Sequence, residues 1–232
     1  MKRLVNKFYI VLAMLIMFTA CKIDNYSAPK TMLTGKVVYK GQPIHVRSDA
    51  VQLELWQPGY QLKKYIPVYV DPSGTFSAKL FNGKYKLIPR AGDGPWETIT
   101  DTTKFTLTGN KKMTVNVTPY FMLKNVNISE SSTAIKSTFS INQIVKSAKL
   151  QRVDLYIANT HFDNSNFHIA KTEKSGSQIS NLSSPITLSF QLSNIPKDVR
   201  NPNRDSVYVR VGVQTAGVPD MIYSKVKEVS AK

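Results

Sequence analysis

Residues 65–87 read YIPVYVDPSGTFSAKLFNGKYKL, and apolar and polar residues alternate along almost the whole stretch. A period of two is typical of β-strands that bury one face and expose the other. The segment 71–74 predicts a tight turn, because proline presets its second position and glycine suits its last. Asn82-Gly83 and, further along the chain, Gly109-Asn110 predict β-hairpins. This stretch therefore predicts strands joined by short turns.

The same alternation extends over the chain from residue 31 onward, and helical periodicity is nearly absent. The segment VQLELW, residues 51–56, places its aliphatic residues on one face, and VYVRVGV, residues 207–213, does so with four valines. Turn residues separate strands of similar spacing, which is typical of antiparallel sandwiches. The sequence thus predicts an all-β protein with two tandem antiparallel β-sandwiches, at residues 31–119 and 120–232.

The N-terminal residues 1–20 have the layout of a secretory signal peptide. Lys2, Arg3 and Lys7 form a positive region, and an uninterrupted apolar run follows from Phe8 to Phe18. The run is too short for a comfortable membrane-spanning helix, which needs about 20 residues. We therefore exclude residues 1–20 from the folded protein.

Cys21 is the only cysteine of the chain, so no intramolecular disulfide can form. Residues 18–21, Phe-Thr-Ala-Cys, resemble the lipobox of bacterial lipoproteins. The resemblance implies cleavage before Cys21, lipidation of its sulfur, and a flexible leash at residues 21–30. It also implies an outer membrane lipoprotein, for which we prefer the cell surface over the periplasmic face. The alternative is ordinary secretion with a free Cys21 thiol.

The chain is strongly basic, with a formal net charge of +16. Its basic residues are scattered, and adjacent bases occur only as pairs such as Lys63-Lys64 and Lys111-Lys112. A dedicated nucleic-acid site usually gathers its bases on one face or helix. The pattern therefore predicts no nucleic-acid partner. The basic side chains are either solvated, or they face an acidic polysaccharide or a lipopolysaccharide surface.

No sequence motif indicates catalysis. His161, His168 and Asp163 do not have a common zinc-site spacing, and the sequence has neither a nucleophile elbow nor a phosphate-binding loop. Carboxylates are sparse, which disfavours a glycosidase pair. The sequence predicts a non-enzymatic protein without a metal or other cofactor.

Candidate binding residues are the aromatic side chains that alternation places on the polar side of a strand or in a loop. Apolar faces of sugar rings stack on such side chains, and neighbouring polar groups fix the hydroxyls. The ligand-binding candidates are Trp56, Tyr60, Tyr65, Tyr69, Asp93 and Trp96. Trp56 could instead meet the second domain or a protein partner, Trp96 could plug the end of its own sandwich, and Asp93 could cap backbone N–H groups.

Several segments resemble one known family: LTGKVVYKGQPI at 33–44, DPSGTFSAKLFNGKYKLIP at 71–89, GDGPW at 92–96 and the C-terminal VYVRVGVQTAG and IYSKVKEV. The family is an uncharacterised group of two-domain Bacteroidetes lipoproteins. The resemblance implies a prealbumin-like first domain and an immunoglobulin-like second domain. It also implies association with polysaccharide-utilisation systems that contain SusC-like and SusD-like proteins.

These observations predict a non-catalytic accessory protein that binds an acidic or neutral polysaccharide or acts as a scaffold beside such partners. The alternative is a structural or adhesion module, similar to a stalk or pilus component, that binds other proteins. Asp101-Thr102-Thr103 and Asp205-Ser206-Val207 resemble the O-glycosylation pattern of exported Bacteroidetes proteins, which makes Thr102 and Ser206 candidate modification sites.

Overall fold

The computed structural model describes residues 27–59, 62–195 and 205–231, and nearly all of their regular secondary structure is β-strand, as the alternation predicts. The predicted signal peptide, Cys21 and most of the leash lie outside the described residues. The strands of the first domain are β1 (Thr31–Tyr39), β2 (Gln42–Pro43), β3 (Gln52–Trp56), β4 (Ile66–Tyr69), β5 (Thr75–Leu80), β6 (Gly83–Pro89), β7 (Thr103–Leu107) and β8 (Lys111–Asn116).

The second domain begins directly after Pro119, and its described residues include the 3₁₀ turns Gly176–Gln178 and Leu192–Asn194. Its strands are β9 (Phe121–Glu130), β10 (Ala134–Gln143), β11 (Leu150–Ala158), β12 (Ala170–Ser175), β13 (Ile186–Gln191), β14 (Ser206–Thr215), β15 (Ile222–Tyr223) and β16 (Lys227–Ser230).

Each domain consists of two sheets that enclose apolar side chains. In the first domain, one sheet has β1 paired with β2, β5 and β8, and the other has the order β4-β3-β6-β7. The β1–β8 pair is parallel, which differs from the fully antiparallel arrangement predicted. In the second domain the sheets are β13-β10-β9 and β12-β11-β14, with β15 and β16 both paired to β14.

The two predicted hairpins are wrong. Strand β5 pairs with β1, whereas β6 pairs with β3 and β7, so Asn82-Gly83 carries the chain from one sheet to the other. The turn at Gly109-Asn110 likewise joins β7 to β8 across the sandwich. An arch between two sheets and a hairpin within one sheet can bury the same alternate residues, so local periodicity does not distinguish them.

The predicted turn at Asp71–Gly74 is confirmed, because the Gly74 N–H donates to the Asp71 carbonyl at 2.7 Å. Gly74 has φ of +80°, and a Cβ there would lie 2.5 Å from the Ile44 carbonyl oxygen. Only glycine therefore satisfies both the conformation and the close approach.

Strand β14 is buried on both faces. Its alternate residues Val207, Val209, Val211 and Val213 are fully buried in the core, as predicted. Strand β12, in contrast, was not predicted, because its sequence AKTEKS is polar and mostly exposed. Pairing with β11, rather than burial of an apolar face, holds that strand in place.

The opposite face of β14 carries Arg210, whose guanidinium joins the two domains. It donates to the carbonyl oxygens of Val46 at 2.9 Å and Pro72 at 3.3 Å in the first domain, and of Ser224 at 2.8 Å in the second. Its Cζ lies 4.3 Å from the centroid of the Tyr223 ring. Burial lowers the pKa of Arg210 to about 10, so the group remains charged at neutral pH.

Further contacts reinforce this junction. The Tyr223 N–H donates to the His45 carbonyl at 3.0 Å, which forms an isolated antiparallel bridge between the domains. The Arg47 Nε lies 2.6 Å from an Asp220 carboxylate oxygen, and that carboxylate is almost completely buried. Hydrogen bonds and charge therefore add to the apolar contacts that hold the two sandwiches together.

Asp163 lies in the same buried region, yet neither of its carboxylate oxygens has a hydrogen-bond partner among the described residues. Arg210 donates to the Asp163 backbone carbonyl at 3.3 Å, not to the carboxylate. Burial therefore raises the pKa of Asp163 to about 8, although the nearby Arg210 charge opposes the rise.

We expect Arg210→Met to lower the free energy of unfolding by about 3 kcal/mol, because each buried carbonyl left without a donor costs about 1–3 kcal/mol. Urea unfolding of residues 21–232 measures the change. The exposed Lys36→Met variant is the control and should stay within about 0.5 kcal/mol of the parent. Equal effects of the two substitutions would show that the junction does not depend on Arg210.

The second prediction concerns pH. Because the pKa of Asp163 is raised in the folded state, its contribution to stability is complete below about pH 4 and is lost as the pH rises to about 8. Asp163→Asn should therefore be more stable than the parent at pH 8–9, and the difference should shrink toward pH 4. Urea titrations across this range, with the exposed Asp101→Asn as control, test it. A difference independent of pH would contradict an ionisable, unpaired Asp163.

Candidate functional site

The solvent-facing side of the β4-β3-β6-β7 sheet carries the predicted aromatic residues; we call it the outer face. Leu53 and Leu55 of β3 point into the core and are fully buried. The alternate residues Gln52, Glu54 and Trp56 therefore point outward, and each is partly exposed. Strand alternation thus places a polar and aromatic surface directly above an apolar core.

Two aromatic rings lie together on the outer face. The Trp56 and Tyr65 ring centroids are 5.6 Å apart, and their planes are tilted by 53°. The Trp56 Nε1–H donates to a Glu54 carboxylate oxygen at 3.0 Å, which fixes the orientation of the indole. Tyr69, directly opposite Gln52 on β4, is 44% exposed. We call Trp56, Tyr65 and Tyr69 the aromatic platform.

A charged and polar network borders this platform. The Arg90 guanidinium lies 5.9 Å from the Tyr65 ring centroid, and its Nη1 donates to the Gln52 side-chain oxygen at 3.1 Å. Asp93 accepts a hydrogen bond from the Gln52 backbone N–H at 2.9 Å. Asp93 thus caps a backbone group, which was the alternative to a direct ligand contact.

The structure does not place all predicted residues on the outer face. Trp96 is only 4% exposed and belongs to the core, where it bridges to Pro119 at the end of the first sandwich. Its ring is covered, so the expectation that Trp96 offers a surface for a ligand is wrong and its role as a plug holds. Tyr60 lies outside the described residues. Trp56 contacts Glu54 and Tyr65 of its own domain, so the structure gives no support for an interdomain role.

Lysines that the sequence left scattered meet on the same face. Strand pairing places Lys86 opposite both Trp56 and Lys104, and Lys84 opposite Thr106. A cleft of about 340 Å³ is lined by these three lysines together with Pro58, Tyr85, Phe105 and Thr106. Sequence reasoning missed this cluster, because residues 84 and 104 come together only through the β6–β7 register.

Two other surface features lie elsewhere. A cavity of about 510 Å³ opens between the domains, and its walls include His45, Met122 and Ile222. The loop between β11 and β12 exposes Phe162 and Phe167, at 59% and 62%. Only the polar character of the surrounding HFDNSNFH sequence could have indicated that these rings are exposed.

The remaining sequence candidates are placed as follows. The His161 ring contacts Tyr208, whereas His168 lies within 3.1 Å of the Asn164 carbonyl oxygen. Thr102 is exposed, but the Ser206 hydroxyl is buried and donates to Glu228 at 2.6 Å, so it is not accessible for glycosylation in the folded protein.

Within the described ranges, no three His, Cys, Asp or Glu side chains are grouped to hold a metal ion. In that same part of the chain, no helix is long and apolar enough to cross a membrane. The outer face offers ring stacking, amide and carboxylate hydrogen bonds, and cationic groups. This is the chemistry of a binding surface.

Solved structures share this fold. A DUF3823 family protein from Parabacteroides merdae is 35% identical, with a TM-score of 0.79, and the alignment covers 88% of this chain and 100% of that protein. One from Bacteroides ovatus is 33% identical, with a TM-score of 0.78 and the same coverage. A proposed carbohydrate-binding protein from Bacteroides uniformis is 16% identical over 87% of this chain and 99% of that protein, with a TM-score of 0.72.

None of the curated proteins resembles the chain closely enough to count as a match. Two family descriptions do match and together span both domains. Residues 31–118 match the N-terminal domain of DUF3823, a protein family of unknown function, and residues 121–228 match the DUF3823 C-terminal domain. The chain therefore belongs to the two-domain DUF3823 family.

Proposed function

We propose that this protein is a non-catalytic lipoprotein of the outer membrane that binds polysaccharide on its outer face. The observation that carries the proposal is the pairing of Trp56 with Tyr65 on an exposed sheet surface, 5.6 Å apart. Both rings are only partly buried, and aromatic side chains that gather at a protein surface are typical of interaction sites.

Sugar recognition fits the chemistry of this surface. The C–H faces of a pyranose are apolar and stack on aromatic rings, while the hydroxyls need fixed donors and acceptors. Glu54, Gln52 and Arg90 supply such groups beside the rings and are already oriented by hydrogen bonds to each other or to Trp56. Preorganised side chains lose little conformational entropy when a ligand binds.

The cellular setting follows from the N-terminal sequence and the family resemblance. A lipid on Cys21 would anchor the folded domains to the membrane through residues 22–30. The family resemblance implies association with SusC-like and SusD-like proteins, and a protein of the same fold from Bacteroides uniformis is a proposed carbohydrate-binding protein. We therefore propose an accessory role in polysaccharide capture, at the cell surface.

Trp56→Ala is expected to weaken glycan binding by about thirtyfold, because truncating a central aromatic anchor costs about 2 kcal/mol. Affinity electrophoresis against neutral and acidic polysaccharides, followed by calorimetry on those that bind, measures the change. Phe167→Ala, which removes an exposed ring from the second domain, is the matched control and should bind normally.

Absence of retardation on every polysaccharide would overturn the proposed function. Co-purification with a SusC-like or SusD-like protein that is lost in Trp56→Ala, without any glycan binding, would favour the scaffold or adhesion alternative instead.

Lipidation is tested separately. Cys21→Ala is expected to move the protein from the membrane fraction to the soluble fraction, because the sulfur that carries the lipid is removed. Fractionation of cells and mass spectrometry of the mature N-terminus measure this outcome. Lys22→Ala, which keeps the sulfur, should remain in the membrane fraction. A mature chain with a free thiol at residue 21 would contradict the lipoprotein assignment.

A further inference from the structure

We propose that the ligand of the outer face is an acidic glycan, whose sulfate or carboxylate groups bind Lys84, Lys86 and Lys104 while its rings stack on the aromatic platform. This inference rests on the proposed function and names its ligand class. We call the three lysines the lysine row.

The register of the sheet makes the lysine row continuous with the aromatic platform. Lys86 is the direct cross-strand partner of Trp56 on one side and of Lys104 on the other. Side chains of directly opposed residues lie about 4.5–5.5 Å apart at Cβ. A sugar ring on Trp56 would therefore bring its substituents within reach of the Lys86 ammonium group.

The lysine row is poorly compensated within the protein. Glu54 is the only acidic residue in β3, β4, β6 and β7, and it accepts the hydrogen bond from Trp56. The ion pairs of the described residues involve Arg47, Arg152 and Lys171 and none of the three lysines. Like charges directly opposite on neighbouring strands destabilise a sheet, so the Lys86–Lys104 pair costs stability unless an anion neutralises it.

The lysine row also lines a cleft whose size suits a ligand group. Lys84, Lys86 and Lys104 line one cleft of about 340 Å³, with Thr106 as a hydroxyl donor and no acidic side chain in its walls. This volume is at the lower end of small-ligand sites, which is suitable for one substituted sugar residue. The cleft and the platform together can hold adjacent residues of one chain.

Lysine gives this site selectivity for charge rather than for one geometry. An ammonium group is a compact point charge with rotatable donors, so it accepts sulfate or carboxylate at several positions of a sugar. Opposite charges in contact at a protein surface attract each other more strongly than they do in bulk water. Because the lysines are exposed, salt will screen the attraction.

The experiment compares ligands that share a backbone: dextran with dextran sulfate, and methyl-esterified with unesterified polygalacturonate. The variant is K84Q/K86Q/K104Q. Its control is K36Q/K79Q/K112Q, which removes the same charge from exposed positions on the other sheet of the first domain. Affinities are measured at low salt and at 0.5 M NaCl by calorimetry.

We expect the parent to bind the charged form of at least one pair about tenfold more tightly or better, and 0.5 M salt to abolish this preference. K84Q/K86Q/K104Q should lose the preference but retain the affinity for the uncharged form, whereas the control should keep both. Trp56→Ala should weaken both forms, which would place the rings and the lysine row in one site.

Other outcomes overturn the inference in distinguishable ways. Equal affinity for charged and uncharged forms would overturn the inference of an acidic ligand but would leave the proposal of glycan binding intact. Equal loss in the control variant would assign the preference to net charge. Single-stranded DNA bound as tightly as dextran sulfate would identify an unspecific polyanion surface, and no binding to any glycan would overturn the proposed function as well.

Discussion

Burial of the inner face of the β4-β3-β6-β7 sheet is the constraint on which the candidate site depends. The inward side chains of this sheet are almost completely removed from solvent, among them Leu53, Leu55, Val68 and Leu87. Their burial strongly specifies which face of each strand points into the core. A slip of one residue would expose these side chains and bury Trp56 with its neighbours. The free energy of the core therefore also holds the rings and lysines of the outer face in position.

The domain junction solves a different problem, because it buries charge in addition to apolar surface. Carbonyl oxygens from both domains and the face of the Tyr223 ring surround the Arg210 guanidinium in place of water. A buried cation is tolerated only when its donors are satisfied in this way. In the described residues, the hydrogen bonds across the junction do not involve Trp56, Tyr65 or Tyr69, so the proposed binding surface is separate from the junction.

In the proposed function, the outer face combines two kinds of recognition that depend differently on salt. Ring stacking would tolerate many sugars and respond little to salt, whereas the lysine row would distinguish charged from uncharged chains and be screened by salt. A surface built in this way would hold a class of polysaccharides and not a single sequence of sugars.

Sequence alone determined the properties that depend on near neighbours in the chain. Alternation identified the all-β class and the valine face of β14, and it placed Trp56, Tyr65 and Tyr69 outward, because side-chain direction in a strand follows a period of two. The turn at Asp71–Gly74 was equally local. The tertiary structure alone decided the partners of each strand: it made the Asn82-Gly83 hairpin an arch and the β1–β8 pair parallel. It also covered Trp96 and aligned Lys86 with Lys104, because these outcomes depend on which distant residues meet, and no local pattern encodes that choice.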